Sequence, residues 1–330
     1  MEGLMNQSYN LSPVLRALIE YAERELQTEI VLHRRTDVPP QGLMIDDYTF
    51  GTGKNVIAFS SAQLGMLKDY TIARYCLQLL IKGMASKRQE YRVLSFSEEA
   101  AVMAAKQIYL DILKDECTRN LEVWRKKQLV FLLYVLLHET MSEIPFNLLA
   151  NLVISHRFPA MRNAQVYFLL KESMRDMHDL IPVKDFLPQR YLVLNNGMYY
   201  ARDMVLAYSL SEFKLNPVIN IPELQRFRNL DMKEMMTQRW SRSPWYHTKM
   251  VGDAMSNMMK LTVNLDFSQP FSEEYFHNLF ACSQDIVNRW IVMVGMQDWY
   301  LWELPEHLRA AQASQAAIEK RVREEIFGPD

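Results

Sequence analysis

The chain has 330 residues, a formal net charge of −2, and 49% hydrophobic, 11% aromatic and 23% charged side chains. That length exceeds one small module, that apolar share excludes global disorder, and the near-zero charge gives no overall field to draw the molecule onto polyanions. Ten glycines are few for an all-β fold, whose turns need positive φ, so the expected class is mainly α with a small α+β N-terminal unit.

The opening, MEGLMNQSYNLSP, lacks a basic region followed by an apolar stretch, so no signal segment is expected. From Ser12, an N-cap followed by Pro13, the positions Val14, Leu15, Leu18 and Ile19 recur at helical spacing, and the helix ends near Leu26. EIVLHRR, LMIDDYTF and KNVIAFS have strand character and are expected to form one small sheet. Gly51-Thr52-Gly53-Lys54 lies between the last two. A phosphate loop would need glycine where Tyr48 stands and Ser or Thr where Asn55 stands, so the run is read as a turn. Helical periodicity returns over 66–82 and 97–114, which completes a compact unit over 1–120.

Beyond Cys117 three helices are expected, over 124–138, 145–155 and 162–178. The longest apolar run, 129–137, falls short of the ~20 residues that span a bilayer, so no membrane span is expected. His138-Glu139 begins like HExxH, but Ser142 stands in place of the second histidine, and the remaining histidines are scattered; no metal site is expected from them. Asn195-Asn196-Gly197, flanked by YLVL and MYYA, carries the strongest short-range hairpin signal. The remainder is expected to be helical, broken at Asn216-Pro217 and Pro244-Trp245. A last amphipathic helix would show Ile318, Val322 and Ile326 on one side. Cys76, Cys117 and Cys282 lack CxxC spacing and fit a reducing, cytoplasmic setting.

Two strings carry a family resemblance: Tyr70-Thr-Ile-Ala-Arg-Tyr-Cys-Leu-Gln-Leu-Leu-Ile-Lys-Gly83 and Ser97-Glu-Glu-Ala-Ala-Val-Met-Ala-Ala-Lys. The first resembles the active-site helix of ImmA/IrrE-type zinc metallopeptidases and the second their next helix, over residues 12–115. The resemblance implies a zincin-like helix/three-strand/two-helix domain. It places the first histidine on Arg74, the catalytic glutamate on Tyr75, the second histidine on Gln78 and the glutamate ligand on Glu99. Arginine has no lone pair for zinc, so a peptidase-shaped domain without peptidase chemistry, metal or cofactor follows, with Arg74 expected to face Glu99 as an ion pair.

Residues 121–204, three helices and a hairpin, resemble a winged helix-turn-helix. Its reader helix would carry Arg162, Asn163, Gln165, Lys171 and Arg175 toward double-stranded DNA or a protein. Against DNA, residues 125–179 hold seven Lys+Arg and five Asp+Glu, so the segment is scarcely basic. In the helical segment 205–330, Trp240, Arg242, Trp245 and Lys249 interleave cations with aromatics, suited to stacking, to an anion, or to anchoring an interdomain loop. The methionines around 232–236 and 255–259 suit irregular cores or an adaptable interface. Three functions stay open: a transcription-related regulator built on an inactive peptidase-like domain, which we favour; an assembly protein binding a partner, or a second copy, through its Met- and Trp-rich C-terminal half; and an active metal-dependent peptidase.

Overall fold

In the computed structural model, which describes residues 9–63, 65–178, 181–213, 231–241 and 246–327, helix α1 (Pro13–Leu26) starts where expected, with the Ser12 hydroxyl accepting from Leu15 N. Strands β1 (Ile30–Arg35), β2 (Leu43–Ile45) and β3 (Asn55–Ser60) form one sheet in the order β1-β3-β2. β1 runs parallel to β3 and β2 antiparallel to it, so β2 is an edge strand. The chain after β2 does not stay extended. Asp46 accepts from Thr49 N at 2.7 Å and Gly51 closes the turn at φ 63°, which makes a one-turn helix α2 (Asp47–Phe50). Gly53 also sits at positive φ, 73°, so the glycine pair serves turn geometry.

Helix α3 (Gly65–Lys87) is buried along most of its length and packs on α1 and β3. Strand β4 (Val93–Ser95) leads to α4 (Glu98–Lys114), capped by Ser97. The two helices expected over 124–155 are one, α5 (Val123–Arg157), with Pro145 inside it. Proline removes one backbone bond there, but contacts of α5 with α3 and α4 on its flanks hold the helix through that point. α5 is also the one helix among the described residues long and apolar enough to cross a membrane.

Helix α6 (Arg162–His178) agrees with expectation, whereas the hairpin does not exist. Residues 189–211 form a continuous helix, α7 (Gln189–Ser211), with Asn195, Asn196 and Gly197 all buried inside it. The glycine serves a helix crossing: a Cβ at Gly197 would lie 3.1 Å from Val251 Cγ1 on helix α9 (Tyr246–Thr262). Without a hairpin the winged-helix topology is lost, and the boundary expected at 204 falls within α7.

Helices α8 (Met232–Trp240) and α10 (Glu273–Val294) complete the helical packing. Asn216-Pro217 and Pro244-Trp245 lie outside the described residues. The chain then returns to its N-terminal part. Strand β5 (Leu301–Glu303) pairs antiparallel with β4, and α11 (Pro305–Ala313) and α12 (Gln315–Phe327) follow, with α12 packed on α4 through Ile318 and Val322. With 71% helix against 7% strand the fold is mainly α. One continuous apolar core includes Leu15, Ile57, Leu80, Leu148, Met198 and Phe280.

Candidate functional site

Helix α3 carries two of the polar features of the interior. Its Arg74 is 1% exposed and donates from Nη1 to Glu172 Oε1 at 3.0 Å and from Nη2 to the Gln41 carbonyl at 2.7 Å. The rings of Tyr70 and Tyr75 flank the guanidinium, 5.8 and 4.9 Å from its carbon. Glu172, on α6, also faces Arg202 Nη1 at 3.6 Å. Arg202 bonds Asp203 Oδ1 from Nε and Nη2, at 3.0 and 2.7 Å, and Asp203 Oδ2 accepts from Trp240 Nε1 at 3.0 Å. Two arginines and two carboxylates thus balance within the core, and they tie α3, α6, α7 and α8 together. Burial by itself would raise the Glu172 carboxyl, but Arg74 and Arg202 outweigh it and hold the group below the usual carboxylate range.

Arg74 was expected to face Glu99. Glu99 instead has a side chain 72% exposed, 3.8 Å from Arg321. The reason is topological: α4 packs on α5 and α12, so its first turn looks outward, while α6 brings Glu172 to Arg74. The other two positions in the resemblance to zinc peptidases do not suit a metal either. Tyr75 gives its hydroxyl to the Gly42 carbonyl at 3.1 Å, and Gln78 offers an amide. These residues do not fit zinc, and among the described residues no three His, Cys, Asp or Glu side chains are grouped to hold a metal ion.

Beside this seam opens a cleft of about 620 Å³ between β2, α3, β4, α5, α11 and α12. Its walls are apolar, with Met44, Phe96, Phe131, Tyr134, Phe146 and Val322. Two polar groups of residues enter it. In the first, Lys82 Nζ donates to Asp46 Oδ2 at 2.7 Å, while Asp46 caps α2 and Thr49 Oγ1 meets Tyr91 OH at 2.6 Å. The second comprises Gln78 of α3 with Glu139, Ser142 and Glu143 of α5. Burial, and then the like charge of Glu139 one turn away, push the Glu143 carboxyl above its ordinary range. Glu143 is exposed to water at the cleft mouth.

His138 also lines the cleft, and its Nε2 lies 2.8 Å from the Leu94 carbonyl. A carbonyl only accepts, so Nε2 carries the proton. Burial lowers the pKa of this ring, although the Leu94 contact opposes the shift. A depressed folded value means full stability above the unfolded value, about 6.5, and loss as pH falls from there through the folded value. Urea unfolding should therefore show stability dropping as pH falls below about 6.5, with a shallower slope in His138→Gln. An unchanged slope in that variant would count against the burial argument.

The expected reader helix is largely enclosed. Gln165 is 0% exposed and bonds Asn151 O and Ser155 Oγ at 2.7 and 3.0 Å. Arg162 donates to Ser155 O at 2.6 Å and stacks on Phe213, while Asn163 and Arg175 are half-buried. Lys171 alone of the five is exposed, with its ammonium 5.5 Å from the Tyr167 ring centre. Trp240, proposed for stacking, is 2% exposed and held by Asp203. Lys249 is exposed, and Arg242 and Trp245 lie outside the described residues. Met232, Met235, Met236, Met255 and Met259 are all buried, so these methionines fill the core rather than present an interface.

Sequence reasoning missed Lys82, Glu143, Glu172, Arg202 and Asp203. The available signal was a charge embedded in an apolar run, as in LLIKGM and ARDMVL, since such charges are seldom buried unless paired. Comparison with protein-family models, with curated proteins and with solved structures gives no match.

Proposed function

We propose that the chain is a non-catalytic regulatory protein that acts by holding a segment of a protein partner in the cleft between β2, α3 and α5. The observation that carries this reading is the cleft itself. It is large, mainly apolar and open, and the helix that would supply a peptidase's zinc ligands presents Tyr75 and Gln78 to it. An edge strand, β2, runs along one side with Leu43 and Ile45 half-exposed, which suits an extended segment. A protein partner is favoured over duplex DNA because α6 buries Gln165, engages Arg162 internally and half-buries Asn163 and Arg175.

The test is a randomised displayed-peptide library panned against the purified chain and against Val135→Trp, which adds bulk at the cleft rim without charge. Peptides enriched on the parent chain and lost on the variant are the expected result. No enrichment, or equal retention by both proteins, would overturn the reading. Salt-sensitive binding of random-sequence duplex DNA, weakened by Lys171→Ala, would favour the DNA alternative instead.

A further inference from the structure

The cleft is lopsided in charge. Among its lining residues Asp46 is paired with Lys82, and Glu319 faces Arg323 at 3.7 Å. Arg92 donates to the Gln89 and Tyr91 carbonyls, at 3.0 Å each. Glu139 and Glu143 remain, one helical turn apart, and neither has a hydrogen bond or ion pair with a described residue. Both are exposed at the cleft rim, and like charges one helical turn apart repel, a repulsion that a cation seated between them relieves.

A second observation points the same way from a different helix. Gln78 is 7% exposed, and what remains accessible lines the cleft. Its amide has no hydrogen-bond partner among the described residues and opens onto the cleft. The Ser142 hydroxyl, between the two glutamates in sequence, is buried and unpartnered. The electrostatic neighbours of Glu143 include Lys82 and Arg74, which bracket Gln78 one turn to either side on α3. Two carboxylates, a hydroxyl and an amide oxygen therefore gather at one part of the cleft, and all of them can accept.

From this arrangement we infer that the partner segment carries an arginine or lysine between apolar residues, with its cationic group seated against Glu139, Ser142, Glu143 and Gln78. The apolar neighbours would lie along the walls that include Phe96 and Phe131. The inference rests on the cleft being a segment-binding site, as proposed above. A cation supplies the donors that the four groups lack and removes the repulsion between the carboxylates.

The peptides enriched by the library provide the test. Their sequences should share one Arg or Lys flanked by apolar residues. The best of them, synthesised with citrulline in place of arginine or norleucine in place of lysine, should bind about tenfold more weakly or worse in fluorescence anisotropy. Glu143→Gln and Gln78→Leu should each weaken the cationic peptide and leave its neutral counterpart almost unmoved, with circular dichroism and thermal melting confirming that both variants fold. Enriched peptides without a shared cation, or equal loss for charged and neutral peptides on Glu143→Gln, would overturn the cation while leaving the cleft as a binding site. Absence of any enriched peptide would instead remove the proposed function and this inference with it. Phenylguanidine competing as tightly as the peptide would show a small-molecule amine site and overturn a protein source.

Discussion

Glu172→Ala should destabilise the fold by about 3–5 kcal/mol, because it strands Arg74 in the core without its carboxylate, whereas Arg202 keeps Asp203. The pair gains little over apolar packing of the same volume, so the cost comes from leaving one charge unpaired. Arg74→Met with Glu172→Leu should then be much milder than the sum of the two single changes. A double-mutant cycle read by urea unfolding measures that difference, and additive effects would show that the pair is not coupled. The pH dependence follows from the same contacts. Arg74 and Arg202 hold Glu172 below the usual range, so its contribution is present above the unfolded value, about 4.3, and is lost as pH falls through the lower folded value. Glu172→Gln should flatten that acid limb of the stability curve. A limb as steep as in the parent chain would mean other carboxylates account for it.

The second large effect is expected at Gly252, where α9 crosses α7. A Cβ there would meet Tyr200 Cδ1 and would lie 2.8 Å from Cγ and 3.1 Å from Cβ of the same residue. Tyr200 cannot swing away cheaply: it is 2% exposed, its hydroxyl donates to Asp253 Oδ1 at 2.7 Å, and its ring meets Trp240 edge-on at 5.5 Å. Gly252→Val should cost about 1–3 kcal/mol through overpacking. That sign holds although replacing a helical glycine ordinarily gains up to about 1 kcal/mol. With Tyr200→Ala added, the total loss should be smaller than the sum of the two single losses, because the second change removes the ring that the valine strikes. A stabilised Gly252→Val protein would contradict the close crossing.

The methods of reading that succeeded were local ones. Ser12 caps α1 where its spacing to the following apolar residues indicated, and the structure adds Ser97 as the cap of α4; both serines accept from the backbone three residues on. The three β-rich stretches near the N-terminus do make one sheet. The hairpin failed because Asn-Gly has two physical uses. The pair tolerates positive φ, and its glycine also lets two helices approach; the sequence shows the residue but not the partner that needs the space. Pro145 misled for a similar reason: proline ends an isolated helix, whereas packing on neighbouring helices carried α5 through it. The site was less legible still. Arg74 was correctly singled out as a buried charge in need of a carboxylate, but Glu172, 98 residues away, supplies it rather than Glu99.

By itself the sequence determined the helical class, the order of the main N-terminal elements and the absence of an HExxH pattern at positions 74–78. These depend on period, capping and side-chain chemistry, which act within a few turns of chain. Only the tertiary structure decided that β5 and α12 return to finish the N-terminal unit, that Glu172 and Arg202 meet Arg74, and that Glu139, Glu143 and Gln78 are left facing a cleft. Those outcomes depend on which distant faces are brought together. Packing settles that over the whole apolar surface at once, and no short window of sequence records it.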